Sequence, residues 1–142
     1  MKMKEKILEM NDTLFVQRKR VMTMLYEARE ILQMDLPRIK VRIVEFEKRK
    51  DDYVLGRCYI DKNFITISKE MTEWSDDYLR AVVWHELGHA YFNAKHDEKC
   101  PLMHPHMVDL KKSSRAVLAT ALKKLAKTVS KRAKVSDMVM AA

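Results

Sequence analysis

The chain has few cysteines and no long apolar segment, and both shortages narrow the class of protein. Two cysteines, Cys58 and Cys100, are too few for the disulfide framework of a small secreted domain, so we expect free thiols in a reducing compartment. No stretch approaches the roughly 18 uninterrupted apolar residues of a membrane span, and the charged start MKMKEKILEMND is unlike a secretory signal. These absences predict a soluble, cytoplasmic protein without a transmembrane segment.

Length and charge indicate one domain followed by a basic tail. A chain of 142 residues is long enough for one core and too short for two domains of ordinary size. Residues 1–110 contain 19 Lys and Arg against 19 Asp and Glu, whereas residues 111–142 contain nine against one. The net charge of +8 therefore lies in the tail. We divide the chain into a domain at 1–110 and a basic amphipathic helix or tail at 111–142.

The first half of the chain predicts helix and then sheet. Residues 4–34 repeat apolar side chains at helical spacing, which predicts one long helix or two in succession, ended by Pro37. The period changes to two over residues 39–46, which is typical of a half-buried strand. Two further strands fit residues 53–60 and 64–68 and are predicted to form an antiparallel hairpin.

Helical patterns return in the second half. A helix that begins near Thr72 or Ser75 carries the polar run at residues 85–89, and residues 107–134 place a leucine stripe opposite lysines. The predicted fold is therefore α+β, with an N-terminal helical region, a small twisted mixed sheet of about three strands, a central helix, a turn and a C-terminal helix.

Two histidines four residues apart, His85 and His89, are the main chemical signal. On a helix both imidazoles leave the same face one turn apart, so they can bind one cation. Glu86, beside them, can reach a water molecule on that cation. The pattern also occurs by chance on solvated helices, but here it lies in the apolar run AVVWHELGHAYF, where unpaired His and Glu are costly to bury. This context favours a metal site.

The residues after His89, AYFNAKHDEKCPLMHP, extend this signal. The segment resembles the metzincin zinc proteases, such as the matrix metalloproteinases, whose pattern is His-Glu-x-x-His-x-x-Gly-x-x-His, often followed by Asp and a Ser-Leu-Met-Tyr-Pro-like turn. Here His96 comes one residue later and Asn93 replaces the glycine, a spacing similar to that of extended variants in small bacterial and phage proteins. Asn is the best non-glycine residue for the left-handed conformation that ends such a helix, so the spacing from helix end to ligand is preserved.

The resemblance implies one zinc ion per chain, bound by His85, His89 and His96, with water in the fourth position. Glu86 would act as the general base for that water, so the expected reaction is hydrolysis of peptide bonds in a polypeptide substrate. Met103 would be the methionine of the turn beneath the metal. An extended substrate would pair with a sheet edge. The family-based candidate for that edge is the strand with Phe64, Ile65, Thr66 and Ile67.

Alternatives remain for the third ligand and for the function. His104, His106 and Cys100 also carry donor atoms, although the position of Asn93 favours His96. A SprT-like, DNA-associated zinc protease would use the basic tail to contact nucleic acid or an acidic partner, but that tail has no aromatic residues for base stacking. In a non-catalytic binding module zinc would only stabilise the fold. Glu86 argues against that alternative, because a structural site needs no base.

Overall fold

A mixed β-sheet and three α-helices make up the described part of the chain and give it the predicted α+β class. The computed structural model describes residues 5–8, 11–36, 38–47, 54–59, 64–106, 114–128 and 138–141. The strands are β1 (Glu5–Ile7), β2 (Lys40–Phe46), β3 (Val54–Tyr59), β4 (Phe64–Ser68) and β5 (Met138–Ala141). The helices are α1 (Asp12–Leu32), α2 (Asp76–Phe92) and α3 (Arg115–Thr128), with a 3-10 helix at Lys69–Glu73.

The five described strands follow the order β1-β2-β4-β3-β5. β2 and β4 are parallel, with Val41 opposite Ile65, and the other three neighbouring pairs are antiparallel. β3 and β4 form the predicted antiparallel hairpin, whose turn at residues 61–63 lies outside the described residues. The mixed sheet is therefore confirmed, although it has five described strands instead of about three.

The position of β4 corrects the predicted substrate edge. Phe64, Ile65, Thr66 and Ile67 lie in the interior of the sheet, since β4 pairs with β2 on one side and β3 on the other. An interior strand has no unpaired main-chain groups to offer, so a peptide cannot add to it. The prediction was wrong because hydrophobic spacing identifies a strand but does not give the order of strands in a sheet.

Both ends of the chain contain a strand that the sequence pattern did not predict. Residues 5–7 form β1, and α1 starts at Asp12, where the Asn11 side chain accepts a hydrogen bond from the Leu14 amide at 2.9 Å. The predicted helix at 107–134 is described only over 115–128, and residues 138–141 form β5. Two short strands were missed because three or four residues carry too little periodicity to identify them.

The three helices share one core with the sheet. Leu118 and Leu122 of α3 are buried in the same cluster as Val82 and Trp84 of α2. Glu27 of α1 also accepts hydrogen bonds from Arg80 of α2 and Arg115 of α3, at 3.1 and 2.9 Å. The leucine stripe of the basic segment is thus a packing face, while the proposed boundary at residue 110 lies outside the described residues and stays a prediction.

Two further findings concern the absences noted in the sequence. Cys58 is buried, Cys100 is half-buried, and neither forms a disulfide bond. Within the described segments, no helix is both long enough and apolar enough to cross a membrane.

Candidate metal centre

Helix α2 places His85, Glu86 and His89 in the interior of the protein. Ser75 caps its first residue, Asp76: the Ser75 hydroxyl accepts a hydrogen bond from the Tyr78 amide at 3.2 Å, and this identifies Ser75 and not Thr72 as the cap. None of these three residues has exposed surface. Polar groups buried this deeply need partners, so the surroundings of each side chain decide what it can do.

The helix ends at Asn93 in the left-handed conformation, with φ 53° and ψ 31°, as predicted. The next amide, that of Ala94, donates to the Gly88 carbonyl at 3.0 Å and closes the helix end. This reversal brings His96 back towards α2, where its ring centroid lies 5.2 Å from that of His85 and 4.8 Å from that of His89. The left-handed conformation of Asn93 therefore turns the chain so that the His96 imidazole lies near those of His85 and His89.

The three imidazoles offer ligand atoms that all lie within 4.8 Å of one another, and the two Nε2 atoms of His85 and His89 are 3.0 Å apart. Nitrogens bound tetrahedrally to zinc at 2.0–2.1 Å would be roughly 3.3 Å apart. The helix pair already has about this spacing, and His96, which is exposed, has room to approach. The donor set therefore fits a metal ion that prefers imidazole, such as zinc.

Main-chain carbonyls fix the orientation of both helix imidazoles. Nδ1 of His85 lies 2.7 Å from the Leu102 carbonyl, and Nδ1 of His89 lies 2.6 Å from the Ala94 carbonyl. A carbonyl oxygen can only accept a hydrogen bond, so each Nδ1 carries a proton and donates it. In the neutral rings each Nε2 then carries a lone pair, and the lone pairs of the two Nε2 atoms face each other. Outer-shell hydrogen bonds of this kind are typical of histidines that bind metal.

Burial keeps these two imidazoles neutral. The pKa of His85 lies well below its usual 6.5, first because burial disfavours the charged ring and second because His89 repels another positive charge. Burial also lowers the pKa of His89 to about 4. Neutral imidazole is the form that binds metal, so His85 and His89 are in the metal-binding form near neutral pH.

The turn that follows His96 and contains Met103 packs against helix α2. The Met103 side chain is fully buried, and its Sδ lies 2.6 Å from the position that a Cβ on Gly88 would occupy, so it packs directly beneath α2. The Met103 carbonyl accepts a hydrogen bond from the Asp97 amide at 2.9 Å, which ties the turn to the residue after His96. The turn thus contacts His85 through the Leu102 carbonyl, helix α2 at Gly88, and the main chain of the residue after His96.

Glu86 lies where α2 meets β3. Its Oε2 is 3.3 Å from the position of a Cβ on Gly56, and the Cγ1 of Val82 is 3.0 Å from the same position. A Cβ at this position would be in tight contact with the helix, so glycine favours this close approach of the strand. The carboxylate of Glu86, the residue that follows His85 in sequence, is therefore held between the histidine helix and the sheet.

The alternative ligands are not part of this histidine group. Nδ1 of His104 is 2.9 Å from the His106 carbonyl, and Cys100 sits in a turn in which its amide donates to the Asp97 carbonyl at 3.1 Å. In the described segments, the group that could hold a metal ion consists of His85, His89 and His96.

A cavity of about 1100 Å³ borders the cluster. It lies between the loop at residues 93–103 and helix α3, with His96 and Met103 on one side and Val117 and Ala121 on the other. Lys124 also lines it. This cavity was not predicted from the sequence, because it depends on where α3 packs.

Gly56 and the carbonyls of Ala94 and Leu102 were also missed by the sequence analysis. A lone glycine within a predicted strand, such as Gly56, was a usable signal of close backbone approach. The carbonyls have no signal, because every residue carries one.

Comparison with known proteins gives no relative for this chain: no protein-family model, no curated protein and no solved structure matches it. The resemblance of the segment from His85 to Pro105 to metzincins therefore stays a prediction.

Proposed function

We propose that this chain is a zinc-dependent endopeptidase, with His85, His89 and His96 as metal ligands and Glu86 as the general base. The observation that carries the proposal is the convergence of three imidazoles, two of them held by main-chain carbonyls. In a helix with a structural role alone, two buried histidines whose Nε2 lone pairs face each other at 3.0 Å would cost free energy with nothing to compensate it.

Glu86 supplies the acid–base chemistry in this proposal. When bound, zinc would supply a water molecule with a pKa near 7 and a Lewis acid for the peptide carbonyl. Glu86, the neighbour of His85 in sequence, accepts the proton and passes it to the leaving amine. Its burial against Gly56 limits its rotation, so the carboxylate stays in one place between proton uptake and release.

The open side of the cluster supports catalysis over a purely structural role. Structural zinc sites are usually closed by four protein ligands, whereas the described group here has three, and His96 is exposed. The adjoining cavity offers space for a substrate side chain. Its wall of Val117, Ala121 and Leu125 favours apolar residues next to the cleaved bond.

The test is to load the purified chain with zinc, measure the metal content, and digest a library of peptides with the parent and with Glu86→Gln. We expect about one zinc per chain in both proteins and peptide cleavage by the parent alone. Asp76→Asn, an exposed acid at the start of α2, is the matched control and should cleave like the parent. Unchanged cleavage by Glu86→Gln would remove the proposed base. Stoichiometric zinc with no cleavage by the parent would favour the non-catalytic module.

The DNA-associated alternative gives a separate result. On α3, Lys123, Lys124 and Lys127 are exposed. Binding of the zinc-loaded chain to DNA that weakens steeply with salt, and that is reduced when these lysines are changed to Ser, would support it.

A further inference from the structure

β3 pairs with β4 along one edge, and its other edge, the outer side of β3, is the edge at which an added strand would lie next to Glu86. β4 is interior and β2 is covered by β1, so neither offers a free edge. β3 is the strand that touches the histidine helix at Glu86, through Gly56. A peptide laid along the outer side of β3 would therefore be the closest added strand to the proposed catalytic base.

That position is occupied by the chain itself. β5 pairs antiparallel with β3, with Gly56 opposite Met140, Arg57 opposite Val139 and Cys58 opposite Met138. The residue of β5 opposite Gly56 is thus at the level of Glu86. β5 also approaches α2, the helix that carries the histidines.

The pairing has the features of a strand that can be displaced. β5 is four residues long, and its register with β3 shifts between Val54 and Gly56. Short and irregular pairing provides few main-chain hydrogen bonds. Nine residues separate β5 from α3, so the strand stays at a high local concentration even when it leaves β3.

We infer that β5 is an intramolecular competitor of the substrate: the outer side of β3 is the peptide-binding edge, and residues 138–141 must leave it before a polypeptide can pair there. This inference rests on the proposed endopeptidase function. It names an extended segment, recognised through its main chain, as the substrate class.

Removing residues 138–142 tests the inference directly. The shortened zinc-loaded chain should hydrolyse peptides with a kcat/KM raised on the order of tenfold, mainly through a lower KM, because the tethered competitor is gone. A fluorescent peptide of sequence MVMAA, copied from residues 138–142, should bind the shortened chain and inhibit it competitively, while the full chain binds it weakly.

A covalent lock tests the same point without removing any residue. Met138→Cys places a second thiol opposite Cys58, and directly opposed residues of antiparallel strands are close enough for a disulfide. Oxidation joins the two thiols with loss of two electrons and two protons to an added oxidant such as oxidised glutathione. The locked protein should keep its zinc and lose peptide binding and cleavage, and a phosphine reductant should restore both. Met138→Cys combined with Cys58→Ala is the matched control and should not respond to oxidation.

The outcomes separate the two proposals. If the parent and shortened chains both cleave peptides at equal rates, and the lock changes nothing, β5 does not compete with substrate. If no form cleaves any peptide, but MVMAA binds the shortened chain more tightly than the full chain and binds the locked protein only after reduction, the edge assignment holds and the endopeptidase function fails. If the shortened chain does not fold, the redox response of the lock decides the matter.

Discussion

The metal-free protein should lose stability as the pH falls from about 6.5 to about 4, because His89 is neutral when folded and charged when unfolded. Burial lowers the folded pKa of His89 to about 4 from the usual 6.5. Between these values the unfolded chain binds a proton that the folded chain does not, so acid favours unfolding. The difference in pKa corresponds to about 3 kcal/mol, fully present near pH 7 and lost near pH 4. The depressed pKa of His85 acts in the same direction.

Urea unfolding of the chelator-treated protein, followed by the fluorescence of the buried Trp84, measures this effect. Carboxylates titrate in the same range, so the informative quantity is the difference between the parent and His89→Gln, which cannot take up the proton. The variant should lose about 3 kcal/mol less than the parent between about pH 7 and about pH 4. His106→Gln, which removes an exposed imidazole outside the cluster, is the control. Equal losses in the parent and in His89→Gln would refute the assignment of a buried, neutral His89.

Three further changes test the way the site is built. By isothermal titration with zinc, His96→Ala should weaken binding far more than His104→Ala, and the reverse ranking would make His104 the third ligand. Asn93→Ala should lower the free energy of unfolding by about 1 kcal/mol because its φ of 53° is left-handed, while Asn93→Gly should be near neutral. Gly88→Ala should cost about 1 kcal/mol or more through contact with Met103, and adding Met103→Ala should cost less than the two single changes together; strict additivity of the measured unfolding energies would contradict this packing.

The sequence predicted the parts of the site that depend on spacing along one helix. His85 and His89 four residues apart, and Asn93 as the left-handed end, are local features, and the structure places each as expected. The proximity of His96 followed from that helix end. These predictions succeeded because a helix fixes the relative positions of its own residues.

The predictions that failed depend on contacts between distant segments. Nothing in the alternating pattern of β4 distinguishes an interior strand from an edge, and the arrival of residues 138–141 beside β3 is a pairing across about half of the chain. Gly56 could have been recognised as a close approach, but the pattern does not say which helix approaches it. Strand order and the partner of the outer edge therefore required the structure.

The carbonyls of Ala94 and Leu102 have a consequence for how this protein can vary. The groups that orient the two helix histidines belong to the peptide backbone, so replacing the side chains at these positions would leave the orienting groups intact. The side chains of Ala94 and Leu102 are buried, so their size is limited by the residues around them and by the path of the loop. Proteins with the same histidine cluster could therefore carry other side chains of similar size at positions 94 and 102, and they would be recognised by the path of the main chain.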